Sequence, residues 1–345
     1  APQAVRARRQ IAYMFNRQGR RQEAALHLRQ LCKQGNVRLD ELQSLIVLSD
    51  AIYDDPAETE TRTEGEVSYY PIGPGGEARF LFGQQQFDQV VEKLHPMVAE
   101  GQVRPAILAL YGRAVAESQD DERFAWWLER TDASTREFAD YWAALGLHEV
   151  SRRRFKHATR ALGEAIARDS TDFISMARLR QCLSTLGEEA ISKRWDDRWR
   201  TTRDSVLANI KISSAEAMDV DAIAELATLL NRLGRPLEAT LWKSLEAYHR
   251  GLPPSEMQKL NALRLQQVAS NTGFPDLRER LCGMDLSRFP LPKFAVDSSS
   301  DPATALSKRE GGDATPAGFV NVGPEIGLTH TYSVASQPQH LQYAI

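Results

Sequence analysis

The spacing of large apolar residues constrains this chain more than any other feature. Leu108, Trp142 and Met176 stand 34 residues apart, as do Tyr111, Leu145 and Leu179, and Gly112 is followed by Gly146 at the same interval. A period of that length is the period of a helical hairpin. A hairpin has one apolar face that it cannot bury alone, so neighbours must stack. The expected fold is all-α, an α-α superhelix of paired helices with a groove along it. Such a surface suits recognition of a partner, and catalysis is not expected.

Composition sets the outer limits. With 345 residues, 42% apolar and 26% charged, the chain can build several cores. Its 43 basic and 46 acidic residues leave a formal charge of -3, so no long-range field draws nucleic acid or an anionic membrane surface. The longest apolar stretches, residues 45–48 and 106–111, fall far short of the roughly 20 residues of a membrane span, and no transmembrane segment is expected. Cys32, Cys182 and Cys282 are odd in number and far apart, which excludes a disulfide framework and CxxC metal or haem motifs; reduced, buried thiols are expected. The redox compartment stays open. The chain opens on Ala1-Pro2-Gln3 with no leader-like segment behind it, as a processed start or a fragment would.

One window carries the pattern most fully: Trp142-x2-Leu145-Gly146, then Ala158, Leu162 and Ala165. Trp142, Leu145 and Gly146 share one face of a first helix, and Gly146 lets the second helix come close. This window resembles the tetratricopeptide (TPR) repeat, with Ala139 as position 1 of a 34-residue unit. The frame holds one unit back, at Pro105, where Leu108, Tyr111, Gly112 and Leu128 fall in place and Phe124 replaces a small residue. It holds one unit forward, at Phe173, with Met176, Leu179, Leu183 and a turn at Gly187, although the following stretch with Ile191, Trp195 and Trp199 departs from the pattern.

Toward the N-terminus a unit starts at Val5, with Ala12, Phe15, Gly19, Ala24 and Leu28 in position. The next, from Leu39, is broken by acidic residues, Pro and Gly over residues 54–83, read as a long loop interrupting one hairpin before Phe87, Val90, Leu94 and Met97 resume the frame. A later unit starts near Val220, and a helix opening at Pro253-Pro254-Ser255, rich in Gln, Lys and Arg, suits a terminal cap. The array thus spans residues 1–285, with an irregular linker over 286–317.

Residues 318–345 alternate like a strand entering a β domain. The run Phe319-Val320-Asn321-Val322-x2-Glu325-x-Gly327-Leu328 resembles the lead-in to the FG-GAP/VCBS propeller of ASPIC/UnbV-type proteins, many of which carry a TPR array upstream. That resemblance implies an extracytoplasmic location. It also implies an alternative role, as an accessory domain of a larger enzyme or calcium-binding propeller protein whose functional part lies beyond Ile345.

Catalytic and cofactor motifs do not emerge. His148-Glu149 begins like the zinc-protease HExxH, but Arg152 stands where the second His belongs. Gly73-Pro74-Gly75-Gly76-Glu77-Ala78 matches GxGxxA literally without the strand-turn-helix setting that cradles a pyrophosphate, and reads as a solvent-exposed turn. His148 and His157 could meet across a hairpin, yet two isolated histidines are more often satisfied surface groups than ligands. Arg152, Arg153, Arg154 and Lys156, like Arg6, Arg8, Arg9, Arg17, Arg20 and Arg21, read as solvated turns and not as a nucleic-acid surface. Adjacent Trp126 and Trp127 cannot face the same side of one helix. No cofactor and no metal site is expected.

In TPR proteins the first helix of each unit lines the groove. The resemblance therefore implies a peptide-binding set: Arg6, Arg9, Tyr13, Asn16 and Arg17 at one end; Arg113, Asp140, Leu147 and Ser151 in the middle; then Gln181; and Asn231 and Arg232 at the far end. Basic and polar ends favour an extended protein or peptide partner with an acidic segment. The set lacks the Lys and Asn pattern of carboxylate-clamp repeats.

Overall fold

The computed structural model describes residues 2–49, 71–214 and 218–292. Contacts divide the chain into two units, residues 1–298 and 299–345, and all described residues belong to the first. The expected β segment at 318–345 and the linker beyond residue 292 lie outside them, as does most of the 54–83 stretch.

All regular structure among the described residues is helical. In chain order the helices are α1 (Pro2–Arg17), α2 (Arg21–Gln34), the short α3 (Leu39–Ser44), α4 (Gly73–Gly83), α5 (Phe87–Ala99), α6 (Pro105–Glu117), α7 (Asp121–Leu128), α8 (Ala139–Ser151), α9 (Phe155–Arg168), α10 (Phe173–Thr185), α11 (Glu189–Ser214), α12 (Val220–Arg232), α13 (Pro236–His249), α14 (Pro254–Ala269) and α15 (Leu277–Arg280). Six antiparallel pairs form between sequence neighbours: α1 with α2, α4 with α5, α6 with α7, α8 with α9, α10 with α11, and α12 with α13. Helices α5, α9, α11 and α13 then meet the helix that follows each, and α4, α6, α8 and α10 touch in succession. This packing of neighbours is what a repeat solenoid requires.

The period is written into the backbone. Helices α6, α8 and α10 begin at residues 105, 139 and 173, and α5, α7, α9 and α11 at 87, 121, 155 and 189. Each tight turn places one residue in the left-handed region at the same register: Gln85 (φ 59°), Gln119 (57°), Arg153 (56°) and Gly187 (73°). The next amide then closes onto a carbonyl five residues back, as in Gln86 to Leu81 (3.0 Å), Arg154 to Glu149 (2.9 Å) and Glu188 to Leu183 (3.0 Å). Three of the four turn residues carry a side chain, at a cost of about 1 kcal/mol each, so stacking of the hairpins overrides local preference.

Close approach within a hairpin depends on a missing side chain. A Cβ at Gly112 would sit 2.0 Å from the Trp127 ring, and one at Gly146 2.6 Å from Leu162. Trp127 is fully buried and donates its indole N–H to the Leu108 carbonyl at 2.9 Å. Of the two adjacent tryptophans it is therefore the core residue. Trp126 is half-buried on the other side, against His95 of the preceding hairpin (centroids 4.9 Å apart) and beneath Arg130.

Four sequence expectations change here. Helix α4 lies inside the stretch read as a loop, because Pro74 is compatible with a first turn, and α4 with α5 makes a complete hairpin in phase. Gly73 to Ala78 is accordingly no exposed turn: Gly76 is buried, and a Cβ there would meet the Arg17 carbonyl at 2.1 Å, so the α1–α2 turn crosses α4 backbone to backbone. Arg21 is 1% exposed, as an internal anchor instead of a solvated turn residue. The first residues of the linker are docked: Leu286 covers Gly163, Phe289 is buried, and Arg160 donates to both their carbonyls at 3.2 and 3.3 Å.

His148 is packed as an apolar ring. It stacks on Phe124 at 4.0 Å with planes 5° apart. Burial, with Arg152 acting in the same direction, lowers its pKa to about 4 against a partial offset from Asp121. A folded pKa below the unfolded value of about 6.5 means that this contribution is complete above pH 6.5 and is lost as pH falls toward 4. Unfolding followed from pH 7 to 4 is expected to lose about 2 kcal/mol from this residue, and His148→Phe should flatten that slope. An unchanged slope in the variant would contradict the assignment.

Candidate functional site

The nominated residues lie on α1, α6, α8, α10 and α12, and those of α6 and α8 that face α4 are engaged internally. Arg79 of α4 and Arg113 of α6, 34 residues apart, both reach Asp140 at the start of α8, at 2.6 and 2.9 Å. Arg113 also pairs with Asp172, the N-cap of α10, at 2.9 Å. Asp172 takes the Ser175 amide at 3.0 Å and hydroxyl at 2.7 Å. Burial pushes the Asp140 carboxyl up, but the two guanidinium groups outweigh it and hold the pKa at about 2. Asp172 is lowered likewise, against burial, by Arg113 and Ser175. Asp169 moves the other way, raised by burial and by the neighbouring Asp172 charge. The result is a charge ladder that ties four consecutive hairpins together.

Chain from the α3 region lies against this ladder. The carbonyls of Ser44 and Val47 accept from Arg21 at 2.7 and 2.9 Å, that of Leu45 from Arg235 at 2.8 Å, and that of Ser49 from Arg79 at 3.3 Å. The Leu48 amide donates to Thr171 at 2.9 Å. Leu45, Ile46 and Leu48 are buried. An irregular segment with its backbone groups taken by side chains from four parts of the chain is held as a bound peptide would be. It joins the first hairpin to the last: Leu42, Leu45 and Ile46 share one core with Ile223, Leu226 and Trp242.

The nominated residues therefore fall into distinct settings. Arg113, Asp140 and Asn16 are buried; Asn16 accepts from Arg21 at 2.5 Å and faces the Ser44 hydroxyl. Arg9 is half-buried and holds Glu41, and the Arg17 guanidinium lies 5.2 Å over the Tyr13 ring. Leu147 packs at the edge of the central core. Arg6, Ser151, Gln181, Asn231 and Arg232 are exposed. No single surface among the described residues gathers the whole set.

A cleft opens instead within the α10–α11 hairpin. At the eighth position of each unit, where the paired helices approach most closely, stand Ala12, Ala78, Gly112, Gly146 and Ala227, but Arg180 in this one. A guanidinium does not fit that contact as Gly or Ala does, and Arg180 instead lines a cleft of about 640 Å³ between the two helices. Ala177, Gln181, Ser184 and Thr185 line one wall, and Glu189, Ser192, Lys193 and Asp196 the other. Arg180 pairs with Asp196, which Arg200 also contacts at 2.5 Å, so two cations share one carboxylate. The Trp199 ring lies between Arg180 (4.7 Å) and Arg203 (5.1 Å). At the mouth, Arg178 is locked to Glu117 of α6 through two bonds of 2.8 and 2.7 Å.

Of these residues the nominated set included only Gln181. The signal for Arg180 was present, as a charged residue at a position otherwise held by Gly or Ala, but the period marks shared residues and is blind to an exception. Arg79 lay in the stretch read as a loop.

Among the described residues no group of three or more His, Cys, Asp or Glu is placed to hold a metal ion, and no helix is long and apolar enough to cross a membrane. Comparison of the chain with protein-family models, with curated proteins and with solved structures returns no match.

Proposed function

We propose that this chain is a TPR-type protein-interaction scaffold that takes an extended, acidic segment of a partner in the cleft between α10 and α11. The observation that carries the reading is Arg180 at a helix contact otherwise closed by Gly or Ala, which leaves polar walls and a positive floor in a repeat built for packing. Asp196 is shared by Arg180 and Arg200, and Lys193 is exposed beside them, so an anionic guest gains charge-assisted hydrogen bonds there. Gln181, Ser184 and Thr185 add donors and acceptors for a peptide backbone. Of the remaining nominated positions, Arg6, Ser151 and Asn231 are accessible for secondary contacts, while Arg113, Asp140 and Asn16 hold the scaffold in shape.

Fluorescent ten-residue peptides, Glu-rich or matched in length and Ser/Gly-rich, provide the test by polarisation with the full chain. The Glu-rich peptides should bind, and Arg180→Ala or Lys193→Glu should weaken them about tenfold, the scale of one charge-assisted contact. Equal binding of both peptide classes, or no change in the variants, would reject the cleft as the site.

A further inference from the structure

Helix α11 borders a second cleft on another of its faces, built from different residues. Arg194 and Arg198, one helical turn apart, line it together with Thr201; Arg232 enters from the end of α12, and Gly234 and Cys282 complete the walls of a space of about 370 Å³. Arg194 and Arg232 are exposed and form no ion pair among the described residues. Arg198 spans the cleft to the α15 end, donating to the Glu279 carbonyl at 3.2 Å, and its Nε is buried without a partner. Two carboxylates also line the space, Asp197 and Glu279, and Glu279 already accepts the Asp276 amide at 3.1 Å. Three guanidinium groups thus converge where the carboxylates leave them incompletely matched.

Arginine is suited to this arrangement because its planar fork offers paired donors at the spacing of two oxygens of a phosphate or carboxylate. A lysine would present one compact charge. Burial lowers the Arg198 pKa, against an opposing effect of Cys282 and with a further lowering by the like charge of Arg235, so an anion arriving here would relieve a desolvated cation.

We infer that the cleft of Arg194, Arg198 and Arg232 is an oxyanion site that takes a phosphate group. It stands apart from the α10–α11 cleft, sharing no lining residue with it, so either can fail without the other.

The probe is inorganic phosphate, titrated into the full chain at constant ionic strength with chloride as the balancing ion. Thermal unfolding should shift upward with phosphate and follow a single-site curve, because a ligand that binds only the folded state stabilises it by mass action. The double variant Arg194→Gln/Arg232→Gln changes exposed residues only; it should unfold at the parent temperature without phosphate and lose tenfold or more in phosphate affinity. Arg198→Lys, which keeps the charge and removes the fork, should fall between the two. A phosphoserine peptide and its unphosphorylated form separate the sources: tighter binding of the phosphopeptide than of free phosphate assigns the group to a partner chain, and equal binding assigns it to a free anion. No shift beyond that of chloride, or an undiminished shift in the double variant, would overturn the inference.

Discussion

Gly112→Ala is expected to destabilise the protein by about 3 kcal/mol, the upper end of what overpacking a filled core costs. Two effects compete at this position. Alanine is the better helix former by about 1 kcal/mol, which alone would make the substitution stabilising. Against it, the new Cβ would lie 2.0 Å from the Trp127 ring. That ring cannot step aside, because it is fully buried, tied to the Leu108 carbonyl and packed on Phe124 and Tyr141 at 5.1 and 5.5 Å. Steric cost wins. Gly146→Ala meets the branched end of Leu162 at 2.6 Å, a side chain with more freedom to turn, and should cost about 1 kcal/mol. Urea unfolding of both variants beside the parent measures the order; a Gly112→Ala midpoint equal to that of the parent would show that the second helix of this unit does not rest on Gly112.

Asp140→Asn should cost about 4 kcal/mol, since it leaves Arg79 and Arg113 buried with their shared charge removed. An exposed pair such as Lys259 with Glu256 offers the contrast: breaking it should change stability by less than about 0.5 kcal/mol. The ladder also predicts a response to acid. Asp140 and Asp172 have folded pKa values below the unfolded value of about 3.9, so their stabilisation is complete above pH 4 and is lost as pH falls from there toward 2. Asp169, raised in the fold, is relieved by protonation and opposes part of that loss. For Asp140 alone the drop amounts to about 2 kcal/mol, so Asp140→Asn should be weaker at pH 5 yet show a shallower decline from pH 4 to 2.5. Parallel declines for parent and variant would place the acid sensitivity elsewhere.

Both predictions bear on how a repeat array is held together. Trp127 and Gly112 secure one hairpin, whereas Asp140 joins α4, α6 and α8, and through Arg113 and Asp172 reaches α10. Loss of the first should loosen one unit, and loss of the second should uncouple neighbours. In an array whose stability is a sum of units and interfaces, the first broadens unfolding locally and the second lowers cooperativity along the chain.

The hairpins were legible in the sequence because a period of 34 is an imprint of contacts between near neighbours. Leu145, Gly146, Ala158 and Leu162 meet within one hairpin, and each next unit repeats the same demand, so size and apolarity recur at fixed positions. The turns were legible for the same reason at Gly187, but not at Gln85, Gln119 or Arg153, where stacking forces a left-handed residue that composition does not favour. The phase of α4 was hidden by Pro and Gly, which signal a break in isolation and here open a helix and permit a backbone crossing.

Contacts without a period were left to the tertiary structure. Arg21 holding the carbonyls of Ser44 and Val47, Arg235 reaching Leu45 across 190 positions, and the junction of the first hairpin with the last pair residues whose sequence separation carries no regular signal. The face of a helix on which a residue lies is set by helical geometry; whether that face meets solvent or another stretch of the chain depends on where a distant segment comes to rest. That placement is an energy summed over many long-range contacts, and it made Arg113 and Asp140 internal ties while Arg180, the exception within the repeat, lines a cleft.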